Sequence, residues 1–120
     1  MAGMRVLIAY EERHHIYGDA VEDLLRRCRP HIAVMNVPLE ELEDQLLRFV
    51  PHLVVSSESN TVDPGGMAAW IELSPQPAEP SRACISGRHA EFGNPGLAML
   101  LVVVDEAEEL VQSGAGLRGC

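Results

Sequence analysis

The stretch PHLVVSSESN, residues 51–60, decides how the chain is read. Leu53, Val54 and Val55 form an apolar run that stops at Ser56, Ser57 and Glu58. A strand buried on both faces gives such a run, and parallel sheets contain strands of that kind. Its polar end lies where open α/β sheets build their sites. Two similar runs precede it, MRVLIAY at 4–10 and HIAVMNV at 31–37. Between them Ile16, Tyr17, Ala20, Val21, Leu24, Leu25 and Cys28 recur at helical spacing, opposite a wet face of Asp19, Glu22, Asp23, Arg26 and Arg27. Pro30 ends that helix. Leu39, Leu42, Leu46 and Phe49 mark a second helix, stopped at Pro51. Strands alternating with helices predict parallel pairing through right-handed crossovers.

Beyond Ser57 the rhythm changes. Residues 58–67 contain the turn signal Asp63-Pro64-Gly65-Gly66 and lead to a strand at AAWIELS, 68–74. A crossover with a full helix needs about a dozen residues or more, so the third helix is expected to be reduced or absent. PQPAEP at 75–80 cannot form the interior of a fourth. Residues 82–86 read as a short strand or a surface traverse. A final helix is predicted over 96–112, with Leu97, Leu100, Leu101, Val104, Ala107 and Val111 on one face. Asn94 and Pro95 suit its N-cap and first position. The organisation is one domain over 1–112 and a Gly-rich tail, SGAGLRGC, at 113–120.

The formal charge is −9 and the sequence has no lysine. An acidic chain without a basic run is a poor partner for nucleic acid or an anionic membrane. Cys28, Cys84 and Cys120 contain no CxxC pair, which gives neither a disulfide framework nor a zinc pattern. The simplest reading is a reducing, cytoplasmic compartment. The longest apolar run, Leu97 to Val104, is too short to span a bilayer.

This layout resembles the receiver domain of two-component response regulators over almost the whole chain. Receivers open with a strand ending in an acidic pair; RVLIAYEE places Tyr10 and Glu11 there, with Glu12 next. Their phosphate-accepting aspartate ends a Pro-Asp-aliphatic strand; PHLVVSS places Ser57 at the acceptor. Ser74 in WIELSP stands where a later strand ends in Thr or Ser, and Asn94 stands where the last strand ends in lysine. The resemblance implies a flavodoxin-like three-layer α/β sandwich with a mostly parallel sheet of order 2-1-3-4-5, and it marks Tyr10, Glu11, Ser57, Ser74 and Asn94 as degenerate receiver positions.

Receiver chemistry needs a carboxylate nucleophile, acids to hold Mg²⁺, and a lysine for the phosphoryl oxygens. Ser57 cannot form an acyl phosphate, and a phosphoserine would need an activating base. Glu58, one residue on, faces the other way on a regular strand. Asn94 supplies no charge and suits a helix cap. Ser56 and Ser57 suit backbone satisfaction at a strand end.

The expected protein is therefore a non-phosphorylatable interaction module, neither an enzyme nor a cofactor carrier. Its partner is a protein, a second copy of itself included, with no nucleic acid or membrane. The broad apolar face of the last helix places the interface near Met99 and Val103. The rival reading is a flavodoxin-like ligand or metal edge made of Glu11, Glu12, His14, His15 and Glu58, although no HxH or HExxH spacing supports it. The segment from Cys84 to Arg88 is too short for the phosphate loop of a cysteine phosphatase. His31 and His52, each before a strand, read as structural. His89 has no evident partner, and Trp70 reads as core or interface.

Overall fold

The computed structural model describes residues 4–57, 69–73, 80–86, 88–92 and 97–113, with residues 92, 97 and 98 described by their backbone alone. It is an α/β structure. Strand β1 (Arg5–Tyr10) leads through a 3-10 turn into helix α1 (His15–Cys28). Strand β2 (Ala33–Pro38) leads through a second such turn into helix α2 (Leu42–Arg48). Strands β3 (Leu53–Ser56), β4 (Ala69–Glu72), β5 (Ser81–Ile85) and β6 (Arg88–Phe92) follow, then helix α3 (Leu97–Ser113).

The sheet order is β2-β1-β3-β4-β5-β6. β1 pairs parallel with β2 and β3, and β3 parallel with β4. The remaining two pairings, β4 with β5 and β5 with β6, are antiparallel. The sheet is thus mixed and has a sixth strand, which departs from the expected five strands in mostly parallel order. The cause is local. Ile85 and Arg88 are register partners, so residues 86 and 87 alone make the loop. Ser86 has φ 50°, the sign that a two-residue type I′ hairpin demands at its first central position. The segments RACI and RHAEF therefore fold back on each other. The segments expected to hold reduced third and fourth helices, including Asp63-Pro64-Gly65-Gly66 and most of PQPAEP, lie outside the described residues, as does the tail beyond Ser113.

Alternation along the strands divides the core into two layers. Val6, Ile8, Tyr10, Leu53, Val55 and Ile71 pack on one face against α1 and α3. Leu7, Ala9, Val54 and Trp70 pack on the other against Leu42 and Leu46 of α2. Trp70 is thus a core residue. β3 is buried along its whole length, which explains the unbroken apolar run in its sequence.

Helix α3 docks through Leu100, Val103, Val104 and Ala107, the i, i+3, i+4, i+7 spacing of one face. Leu101 and Val111 are only partly buried. Each fully buried aliphatic side chain contributes about 1.5–3 kcal/mol. Ion pairs flank the stripe. Arg29 grips Asp105 through two hydrogen bonds of 2.7 and 2.8 Å, which holds the Asp105 carboxyl below the usual carboxylate range. His31 reaches Glu108 at 2.8 Å and Arg88 reaches Glu106 at 2.9 Å. The acids crowding the C-terminal half of α3 thus tie it to the end of α1, the approach to β2 and the hairpin.

Of the two described cysteines, one departs from the reading that the cysteines form no disulfide framework. Cys28 is free and exposed, whereas Cys84 is disulfide-bonded. That bond removes the support the cysteine count lent to a reducing compartment. Among the described residues no helix is long and apolar enough to cross a membrane.

One backbone position is strained. Val50 has φ 50° and its side chain is 55% exposed. A β-branched residue in the left-handed region costs about 1–2 kcal/mol. The Val50 carbonyl accepts a 2.9 Å bond from Arg5 Nε, and the Arg5 backbone N–H donates to His52 Nδ1 at 3.0 Å. These contacts fix the turn before β3. Burial and the nearby Arg5 guanidinium lower the His52 pKa, in keeping with a neutral, accepting ring. Val50→Gly should relieve the strain while leaving those backbone contacts in place. It is expected to raise stability by about 1 kcal/mol in urea melts; a loss of stability would contradict the strain.

Candidate functional site

The C-terminal ends of β1, β3 and β4 lie side by side, and the acceptor position of the receiver resemblance falls in their middle. Tyr10 ends β1 and alternation turns it toward α1 and α3. Its hydroxyl donates to the Leu73 carbonyl, just past β4, at 2.6 Å. Because β3 lies between β1 and β4, the phenol side chain crosses the end of β3. Burial, with Tyr17 adding to it, pushes the Tyr10 pKa well above the ordinary tyrosine range, so the hydroxyl keeps its proton and remains a donor. Leu73 in turn donates its N–H to the Ser56 carbonyl at 2.8 Å.

Helix α1 completes the seal. The Tyr17 ring meets Tyr10 edge-on, with centroids 5.4 Å apart and planes at 64°. Gly18 lets the helix come close: a Cβ there would stand 3.3 Å from both Tyr10 Cδ2 and Asn36 Oδ1. The position at which the resemblance has an acid is therefore held by a buried aromatic that belongs to the core.

Ser57, at the acceptor position, has its Oγ buried without a hydrogen-bond partner. A serine nucleophile needs a base within hydrogen-bond reach, and among the described residues none bonds to it. His14 Nδ1 is likewise buried and unpaired. His15, beside it in sequence, is exposed, and its Nδ1 donates to the Glu12 carbonyl at 2.9 Å. The adjacent histidines thus occupy different surroundings. Glu11 pairs with Arg13 at 2.8 Å, and Arg13 is largely exposed; surface pairs of this kind contribute about 0–1 kcal/mol.

The proposed metal edge does not assemble from what is described. Among the described residues no three His, Cys, Asp or Glu side chains gather to hold an ion. Glu58, Ser74 and Asn94 lie outside the described residues. What does form is a shallow, open depression of about 530 Å³ beyond the ends of β1 and β2, lined by Glu11, Glu12, Arg13, Leu39 and Glu40.

The interface expected on α3 needs revision. Val103 is 3% exposed and sits in the core, covered where β5 brings Ala83 and Ile85 beneath the helix. It cannot present a free surface. Met99 and Val102 are 40% and 46% exposed, so the apolar patch is theirs. They border a groove of about 230 Å³ between α3 and the β5–β6 hairpin. Cys84 and Arg88 fall on opposite strands of that hairpin, and Arg88 is engaged with Glu106, so they build no phosphate loop.

No protein-family model, curated protein or solved structure matches this chain.

The closure of the tips can be measured. Tyr10→Phe keeps the ring and removes the donor, leaving the Leu73 carbonyl without its phenol partner. The expected cost is about 1–3 kcal/mol in denaturant unfolding; an unchanged midpoint would contradict the bond.

Proposed function

We propose that this chain is a receiver-like interaction module that binds protein and does not transfer phosphoryl groups. One observation carries the reading: Tyr10, at a position where the resemblance calls for a metal-binding acid, spends its hydroxyl on the Leu73 carbonyl across the end of β3. A buried phenol that keeps its proton supplies no anionic oxygen to a hard cation. Ser57 supplies no carboxylate. The strand order β2-β1-β3-β4, followed by β5, starts as the flavodoxin-like order does, and this supports the receiver reading, although the antiparallel β5 departs from it. The exposed Met99 and Val102 support a partner surface at the other end of the argument.

A second reading draws on the depression beside Glu11. Since no three acids gather around one ion among the described residues, a cation there would keep most of its waters and be bound by one or two of Glu11, Glu12 and Glu40.

One experiment separates the two. The full chain is incubated with acetyl phosphate and millimolar Mg²⁺, then weighed intact and melted. The module reading predicts no mass gain and no appreciable change in melting temperature. A stoichiometric phosphoryl gain mapped to Ser57 or Glu58 would overturn it. A rise of several degrees with Mg²⁺ that Glu11→Gln abolishes would establish the ligand reading by mass action.

A further inference from the structure

Strand β6 ends the sheet, and among the described residues nothing pairs with its outer edge. Arg88, His89, Ala90 and Glu91 are all exposed. Open edges of this sort are templates for another strand unless they are blocked. We propose that β6 pairs antiparallel with β6 of a second copy of this chain, with Ala90 on the two-fold axis, so that the sheets of the two copies join into one.

The register follows from the backbone and the charges together. Ile85 and Arg88 close a two-residue hairpin, so they exchange both their backbone hydrogen bonds. Alternation in an antiparallel ladder then turns the N–H and C=O groups of His89 and Glu91 outward, away from β5. With Ala90 on the axis, His89 lies opposite Glu91 of the second copy. The two residues exchange their backbone hydrogen bonds, and the two-fold axis repeats the exchange. Each imidazole thereby faces a carboxylate that also accepts a 3.3 Å bond from Arg82 of its own copy. Arg88 falls opposite Phe92, so no like charges meet. Moving the axis by one residue either sets Glu91 against Glu91, and like charges placed opposite each other destabilise a pair, or sets His89 against His89 and loses both imidazole–carboxylate contacts. The five-residue strand is thus complementary to itself in one register.

The second observation is independent of the strand. Among the described residues, Met99 and Val102 are the large apolar side chains of α3 that remain exposed, and they flank the groove bordered by His89 and Ala90. Joining two copies along β6 brings these patches to the same junction, where each can be covered by its counterpart. A homodimer built this way is isologous, as a two-fold interface must be. The proposal rests on the reading of the chain as an interaction module and gives that module its partner.

The full chain is examined by sedimentation equilibrium over a range of concentrations, with three sequences. The wild type is expected to dimerise. His89→Glu places like charges opposite each other on both sides of the axis and should weaken the dimer about tenfold, with the circular dichroism spectrum unchanged. His89→Lys keeps an N–H donor opposite Glu91 and should keep the dimer. A wild type that stays monomeric overturns the dimer; the interaction-module reading is judged separately, by the phosphoryl assay above. A dimer indifferent to His89→Glu, or one lost equally in His89→Lys, places the interface elsewhere and overturns the register.

Discussion

The hydrogen bond from Tyr10 to the Leu73 carbonyl ties the first strand to the end of the fourth across the third. Its consequences run in both directions. Toward the core, it fixes a large ring beneath α1, where the close approach of Gly18 and the edge of Tyr17 depend on that ring's place. Toward solvent, it covers the tip of β3, where the Ser57 hydroxyl is already buried and without a partner. An acid in place of Tyr10 would face a severe desolvation cost in this surrounding unless a metal or proton neutralised it. The phenol meets the same surrounding with a neutral donor and a backbone acceptor. Under the proposed receiver reading, a tyrosine where receivers carry an acid changes the sheet edge itself, and the absence of phosphoryl chemistry proposed above rests on packing as much as on missing ligands.

The surfaces proposed for recognition lie away from these strand tips. The hairpin of β5 and β6 is what creates them. It covers Val103 with Ala83 and Ile85, leaves Met99 and Val102 at the rim, and carries the sheet to a new edge beyond the fourth strand. The same hairpin secures α3 through Arg88 and Glu106. A sheet that ended at β4 would have neither this groove nor this edge.

Much of the fold was legible because the periods are unambiguous. The apolar runs at β1 and β3 and the helical spacing of Val21 and Leu25 mark their elements to within a residue or two. The hairpin was not read, although Ser86-Gly87 between RACI and RHAEF is a turn signal of the right length. The likeness to a five-stranded pattern makes RHAEF the last strand before the final helix and leaves open its antiparallel pairing with RACI. Val103 was misplaced because α3 is apolar around much of its circumference, at Met99, Leu101, Val102 and Val103 alike. Which of these is buried depends on where the hairpin passes, and that is not written in the helix. The site was harder still. Tyr10 was correctly located at a strand tip, but its partner is a main-chain carbonyl 63 residues away, and a carbonyl leaves no mark in a sequence. The burial of Ser57 Oγ is invisible for the same reason.

The closed strand tip can be tested through the ionisation of Tyr10 itself. The chain has two tyrosines, so in Tyr17→Phe every tyrosinate signal comes from Tyr10. Absorbance of that variant is followed as the pH is raised, with circular dichroism recorded alongside. A phenol buried and bonded to Leu73 should show no step near the ordinary value of about 10, and absorbance should rise only as the fold is lost. A reversible ionisation near that value with the fold intact would contradict the account, because it would mean an exposed Tyr10 and an open tip.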